Sequence, residues 1–155
     1  MIRVQAEDFD IGAEIAGLKA GRSDIGAIVA FVGTMRDRSR DYAVDEMTLE
    51  HYPGMTEKAL EDICVQADAR WKLLDIVVIH RVGSLKPGDR IVMVGVASAH
   101  RGDAFEACEF IMDYLKTRAP FWKRESGPQG ARWVEADARD RAASTRWEKI
   151  KDAAE

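Results

Sequence analysis

The spacing of apolar and polar positions changes several times along the chain, and each change marks an element. Ile2 to Gln5 predicts a short strand and Ile11 to Ala20 a first helix. Ile25 to Arg36 (IGAIVAFVGTMR) is rich in β-branched residues and predicts a buried strand; the polar run Asp37 to Tyr42 predicts a loop, and Val44 to Tyr52 a second long strand. From Pro53 the period switches. Met55, Ala59, Ile63 and Ala67, with Leu60 and Trp71, recur at the spacing of one helix face. Two strands follow, Asp75 to Arg81 and Arg90 to Ala99, separated by Lys86-Pro87-Gly88-Asp89. Proline and glycine there occupy the two central positions of a type II turn.

Phe105, Cys108, Ile111, Met112 and Leu115 predict a helix from about Asp103 to Arg118. Pro120 stops it, because proline lacks the amide donor and restricts its predecessor. Phe121 to Glu125 and Ala131 to Ala136 predict a hairpin around Gly127-Pro128-Gln129-Gly130. The last stretch, from Asp137 to Glu155, has near-balanced charge and few large apolar residues, which predicts an exposed terminal helix fraying at its end. The sum is an α+β domain with mostly antiparallel strands, residues 1–140, and a polar helical tail, 141–155.

With 155 residues and 46% hydrophobic content the chain is long and apolar enough for one sizeable core. The longest apolar run, Ala27 to Val32, falls far short of the ~18 residues of a membrane span. The start MIRVQAEDFD carries no basic-then-apolar secretory pattern, and two cysteines, Cys64 and Cys108, make neither a disulfide framework nor a four-ligand zinc site. A reducing, cytoplasmic setting is expected. The net charge of −4 argues against a free-standing binder of nucleic acid backbone.

Candidate chemistry is concentrated in cations. Lys116 to Arg124 (KTRAPFWKR) carries four positive charges and no negative one. A helix C-terminus accounts for Lys116 and Arg118, but Lys123 and Arg124 follow the helix stop, beside Phe121 and Trp122. A lysine crowded by other cations and by protein has a lowered pKa, as acid–base or nucleophilic chemistry requires. His100-Arg101 stands where a strand hands over to a helix, a place that can hold an anion, although by itself the pair reads first as a strand–helix corner with exposed charge. Arg36 closes an apolar strand, while Arg38 and Arg40, interleaved with Asp37 and Asp41, read as a solvated loop. His51 and His80 read as ordinary hydrogen-bonded histidines, and the three histidines lack the spacing of a known metal motif. Cys108 falls on an apolar stripe, so both cysteines read as core residues.

LEHYPGMTEKAL (Leu49 to Leu60), HRVGSLKPGD (His80 to Asp89), SAHRGDAFEA (Ser98 to Ala107) and above all IMDYLKTRAPFWKRE (Ile111 to Glu125) resemble the large, catalytic subunit of molybdopterin synthase. FVGTMR (Phe31 to Arg36) and WVEA (Trp133 to Ala136) fit as well, and the likeness runs from about Ile25 to Asp140 in order and spacing. The resemblance implies an α/β hammerhead fold with an additional antiparallel β-sheet subdomain, and a homodimer. It implies a small ubiquitin-like partner whose C-terminal Gly-Gly ends in a thiocarboxylate, giving a heterotetramer. The activity implied is sulfur transfer to cyclic pyranopterin monophosphate, forming the molybdopterin of molybdenum cofactor biosynthesis, with no metal and no cofactor of the enzyme's own. Carried over residue by residue, the implied catalytic pair is Lys116 and Lys123. The implied substrate site contains Arg36, His100, Arg101, Lys116, Lys123, Arg124 and Glu125. Which lysine moves a proton and which only holds charge stays open at this point. Two rival readings are a non-enzymatic module that accepts a ubiquitin-like tail and a small RNA-binding domain using the basic run with Phe121 and Trp122.

Overall fold

The computed structural model describes residues 1–135 and 137–154. In chain order the elements are β1 (Ile2–Gln5), α1 (Ile11–Lys19), β2 (Ala27–Thr34), β3 (Arg38–Ser39), β4 (Tyr42–Ala43), β5 (Glu46–His51) and α2 (Met55–Arg70). There follow β6 (Leu73–Arg81), β7 (Gly83–Leu85), β8 (Arg90–Ser98), α3 (Arg101–Arg118), β9 (Phe121–Gly127), β10 (Gly130–Val134) and α4 (Ala138–Ala154).

One four-stranded sheet has the order β1-β6-β8-β2, antiparallel except for β1 against β6. Its central strand β8, apolar almost throughout, is covered on both faces. Val92, Val94 and Val96 pack with Leu60 and Ile63 of α2 and Phe110 and Ile111 of α3, while Met93 joins Val77, Ile79 and Leu18 of α1 on the other side. Gly95 permits that second layer: a Cβ there would lie 2.9 Å from Leu18 Cδ1 and 2.9 Å from Val77 Cγ1.

The second sheet, β10-β9-β5-β7, is antiparallel throughout. Met35, Val44, Met47, Leu49 and Leu85 form its own apolar layer, and Ile91 of the first sheet packs against it. This helix-covered sheet with a second antiparallel sheet is the α+β architecture expected. The 86–89 turn forms as predicted, with Gly88 at φ +90° and the Asp89 N–H donating to the Lys86 carbonyl at 3.0 Å.

Four local expectations change. The loop after Arg36 contains the small β3–β4 hairpin, and β7 pairs with β5 although it is too short to show a period. α3 starts at Arg101, two residues before the predicted Asp103. The terminal helix is not simply exposed: Trp147 is 4% exposed and meets Trp71 and Phe110 edge-on, because one large side chain anchors an otherwise polar helix. Ala136, the predicted end of the last strand, and Glu155, the predicted frayed end, lie outside the described residues.

Candidate active site

A cavity of about 650 Å³ opens where the end of α3, strand β9, the segment after β2 and the start of α4 converge. Met47, Leu49, Ile91 and Leu115 supply apolar wall, and Arg36, Lys116 and Lys123 supply cations. The volume suits a drug-sized or cofactor-sized molecule. Proline sets the lysine geometry. Lys116 lies in the last turn of α3, Pro120 breaks the helix, and β9 brings the chain back so that Lys123 lines the same space. Thr56 fixes the corner: its hydroxyl accepts from the Tyr52 N–H at 3.0 Å and donates to the Pro120 carbonyl at 3.2 Å.

Lys116 reaches solvent through the cavity but is crowded by protein on its other sides. That crowding lowers its pKa, the Lys123 charge lowers it further, and Asp140 opposes both. Lys123 Nζ lies 3.5 Å from the carboxylate of Glu125, which is buried and also meets Arg132 at 3.5 Å. His80 lines the cavity with its ring stacked on Phe121, 3.8 Å between centroids and 18° from parallel. Its Nδ1 is 2.8 Å from the Arg81 carbonyl, which assigns the proton to Nδ1. Burial, with Lys116 and His51 nearby, pulls the imidazole down to about 4, so the ring is neutral at pH 7. Burial pushes both thiols, Cys64 and Cys108, up to about 11, which makes them poor nucleophiles. Among the described residues no group of three His, Cys, Asp or Glu side chains gathers as a metal site requires.

The model of the family described as "MoaE protein" matches residues 4–118. The chain belongs to this family. It is 62% identical to the molybdopterin synthase catalytic subunit of Ralstonia nicotianae, over 97% of this chain and 86% of that one. It is 56% identical to the subunit of the same name in Escherichia coli, over 94% and 97%. Among solved structures, the molybdopterin biosynthesis MoaE protein of Burkholderia ambifaria is similar with a TM-score of 0.82 and 56% identity, covering 96% of this chain and 97% of that one. Molybdopterin synthase from Staphylococcus aureus is similar at 27% identity with a TM-score of 0.79, covering 86% and 96%.

In this MoaE chain the expected site residues divide into three groups. Arg36, Lys116 and Lys123 share the cavity, and Glu125 is held beside it through Lys123. Arg124 points away: alternation along β9 puts Lys123 and Glu125 on one face and exposed Trp122 and Arg124 on the other. His100 and Arg101 stand exposed at the opposite end of α3, roughly 22 Å from Lys116 at the helical rise. One face of the half-buried Phe121 ring is taken up by His80, which weakens the aromatic pair on which the RNA-binding reading rests. His80, Arg132, Arg139 and Asp140 were not singled out for the site by their sequence pattern. The one available signal was register: Arg132 stands directly opposite Glu125 in the predicted hairpin.

Proposed function

We propose that the chain is the catalytic subunit of a molybdopterin synthase, transferring sulfur from the C-terminal thiocarboxylate of a small ubiquitin-like partner to cyclic pyranopterin monophosphate. The observation that carries this reading is the convergence of Arg36, Lys116 and Lys123 on one cavity of about 650 Å³, with the Lys116 pKa lowered. The relatives' names support it. The residue types also suit the chemistry. The thiocarboxylate sulfur forms a bond to a side-chain carbon of the pterin, and the oxygen leaving that carbon takes a proton. Water then cleaves the acyl–sulfur bond, so the sulfur stays on the pterin and the partner departs as a carboxylate. A lysine of lowered pKa can give the proton, and a second ammonium stabilises the negative oxygen as it develops. Lys116 fits the first role and Lys123, tethered to Glu125, fits the second.

His100 and Arg101 enter this scheme through a second copy. In one chain they stand too far from Lys116 to hold the same small substrate, so a homodimer in which each copy lends the pair to the other's cavity reconciles them with a substrate role. Residues 1–140 form the catalytic domain in this reading, with the tail docked on it. No described helix is long and apolar enough to cross a membrane, and we place the protein in the cytoplasm with reduced thiols. The test is reconstitution with a thiocarboxylated partner and the pterin, following molybdopterin through its oxidised fluorescent derivative. Binding of the partner's tail without any product would reduce the chain to a non-enzymatic docking module.

A further inference from the structure

We infer that the β3–β4 hairpin is an anion-binding arm of the cavity, in which the Arg38 and Arg40 guanidinium groups grip the phosphate of the substrate. This deepens the sulfur-transfer reading and rests on it for the identity of the anion. Both arginines line the cavity that holds Lys116 and Lys123. Among the described residues neither makes an ion pair or a side-chain hydrogen bond, whereas Asp137 on the same cavity wall is already paired with Arg139 at 3.1 Å. The Arg40 charge reaches Asp137 only through space, so no contact with the described residues occupies either guanidinium.

The arm's backbone is the second observation. Arg40 has φ +54°, and no other non-glycine among the described residues has a positive φ. Glycine, asparagine or aspartate suits such a position; arginine does not, and disfavoured backbone is retained where a side chain has a use. The arm is also fastened in place. The Arg132 guanidinium lies 3.7 Å over the Tyr42 ring and donates to the Ser39 carbonyl at 3.5 Å. The same group meets Glu125, the carboxylate that holds Lys123. The hairpin and the catalytic lysine are thus joined through Arg132 and the buried Glu125 carboxylate.

The ligand chemistry follows from charge. Transfer brings two anions into one cavity, a thiocarboxylate and a phosphate. With the lysines engaged at the reacting carbon, a phosphate with two free oxygens matches the forked donors of arginine.

The discriminating variant is Arg40→Gly, which relaxes the backbone while removing the guanidinium; Arg38→Gln removes the other charge without touching the turn. Calorimetric titration with the pterin is expected to show each variant binding about tenfold more weakly, the lower end of a charged hydrogen bond's contribution. Arg40→Gly should melt at or above the wild-type temperature. Inorganic phosphate, as a probe, should shift the amide resonances of residues 38–42 in wild type and not in Arg40→Gly. Unchanged pterin affinity in both variants overturns the inference. So does a loss confined to affinity for the thiocarboxylated partner, which would assign the arm to the partner's tail. Wild-type protein that binds phosphate at the hairpin but never the pterin would sink the sulfur-transfer reading and leave the anion arm standing.

Discussion

Trp147 offers a measurable test of how the tail is joined to the catalytic cavity. Its ring is 4% exposed and sits 5.6 Å from Trp71 and 5.5 Å from Phe110, centroid to centroid, in edge-on contact with both. Its indole N–H donates to Asp113 at 2.7 Å, and Arg146 meets the same carboxylate at 2.9 Å. Trp147→Ala removes a full aromatic side chain from a closed contact and is expected to cost about 3–5 kcal/mol. Trp147→Phe keeps most of the packing but removes one donor from the Asp113 carboxylate, which retains Arg146, for about 1.5 kcal/mol. In a domain of this size each kcal/mol moves the melting temperature by about 2–4 °C, so the alanine variant should melt roughly 6–20 °C lower. The consequence reaches the site. Arg139 and Asp140, in the first turn of α4, line the cavity about 10 Å along the helix from Trp147. Undocking α4 withdraws Asp140, which opposes the lowering of the Lys116 pKa, so the pH profile of transfer should move to lower pH. Circular dichroism melts and amide exchange of α4 check the first part, activity profiles the second. A loss below about 1 kcal/mol with unchanged exchange in α4 would refute the docking argument.

Further expectations concern the rest of the site. Cys64→Ser and Cys108→Ala should retain sulfur transfer, with about 1–2 kcal/mol lost for buried Cys108 in a denaturant titration; a folded but inactive Cys108→Ala protein would overturn the view that all transferred sulfur comes from the partner. His80 is held neutral in the folded protein at about 4 against 6.5 when unfolded. Its folded pKa is depressed, so the unfolded chain takes up the proton first as pH falls. Stability should therefore decline by roughly 3 kcal/mol from pH 6.5 to 4, and His80→Phe should flatten that window. Arg101→Ala should weaken pterin binding by ~1.5–3 kcal/mol. Mixed with Lys116→Ala protein, it should recover about a quarter of wild-type activity if each copy lends its pair to the other; no recovery on exchange would return His100 and Arg101 to their own chain.

How much of this was legible in the sequence depended on how local the cause was. The Pro120 break was readable because proline acts on its immediate neighbours, and the return of the chain after it brings Lys116 and Lys123 to one cavity. The orientation of Arg124 was legible in principle from the period of two in FWKRE, but the family likeness treated Lys123, Arg124 and Glu125 as one cluster. The distance from His100 to Lys116 follows from helix length alone. What lay out of reach was long-range. β7 exists because β5 offers it an edge, and Arg132 is an anchor because Tyr42 and Glu125 come together around it. A single Trp147 docks a helix whose remaining residues look solvated. His80 is hydrogen-bonded as expected, but nothing adjacent in sequence shows that Phe121 stacks on it.

The central claim is that Lys116 moves a proton at the reacting carbon while Lys123 holds charge. Sulfur transfer by Lys116→Arg protein, reconstituted with thiocarboxylated partner and pterin, tests it most directly. A guanidinium keeps the positive charge but cannot release its proton near neutral pH. The account predicts that Lys116→Arg binds partner and pterin yet forms almost no molybdopterin, while Lys123→Arg retains a substantial part of the wild-type rate. Near-normal turnover by Lys116→Arg would contradict it and leave Lys116 as a fixed charge only.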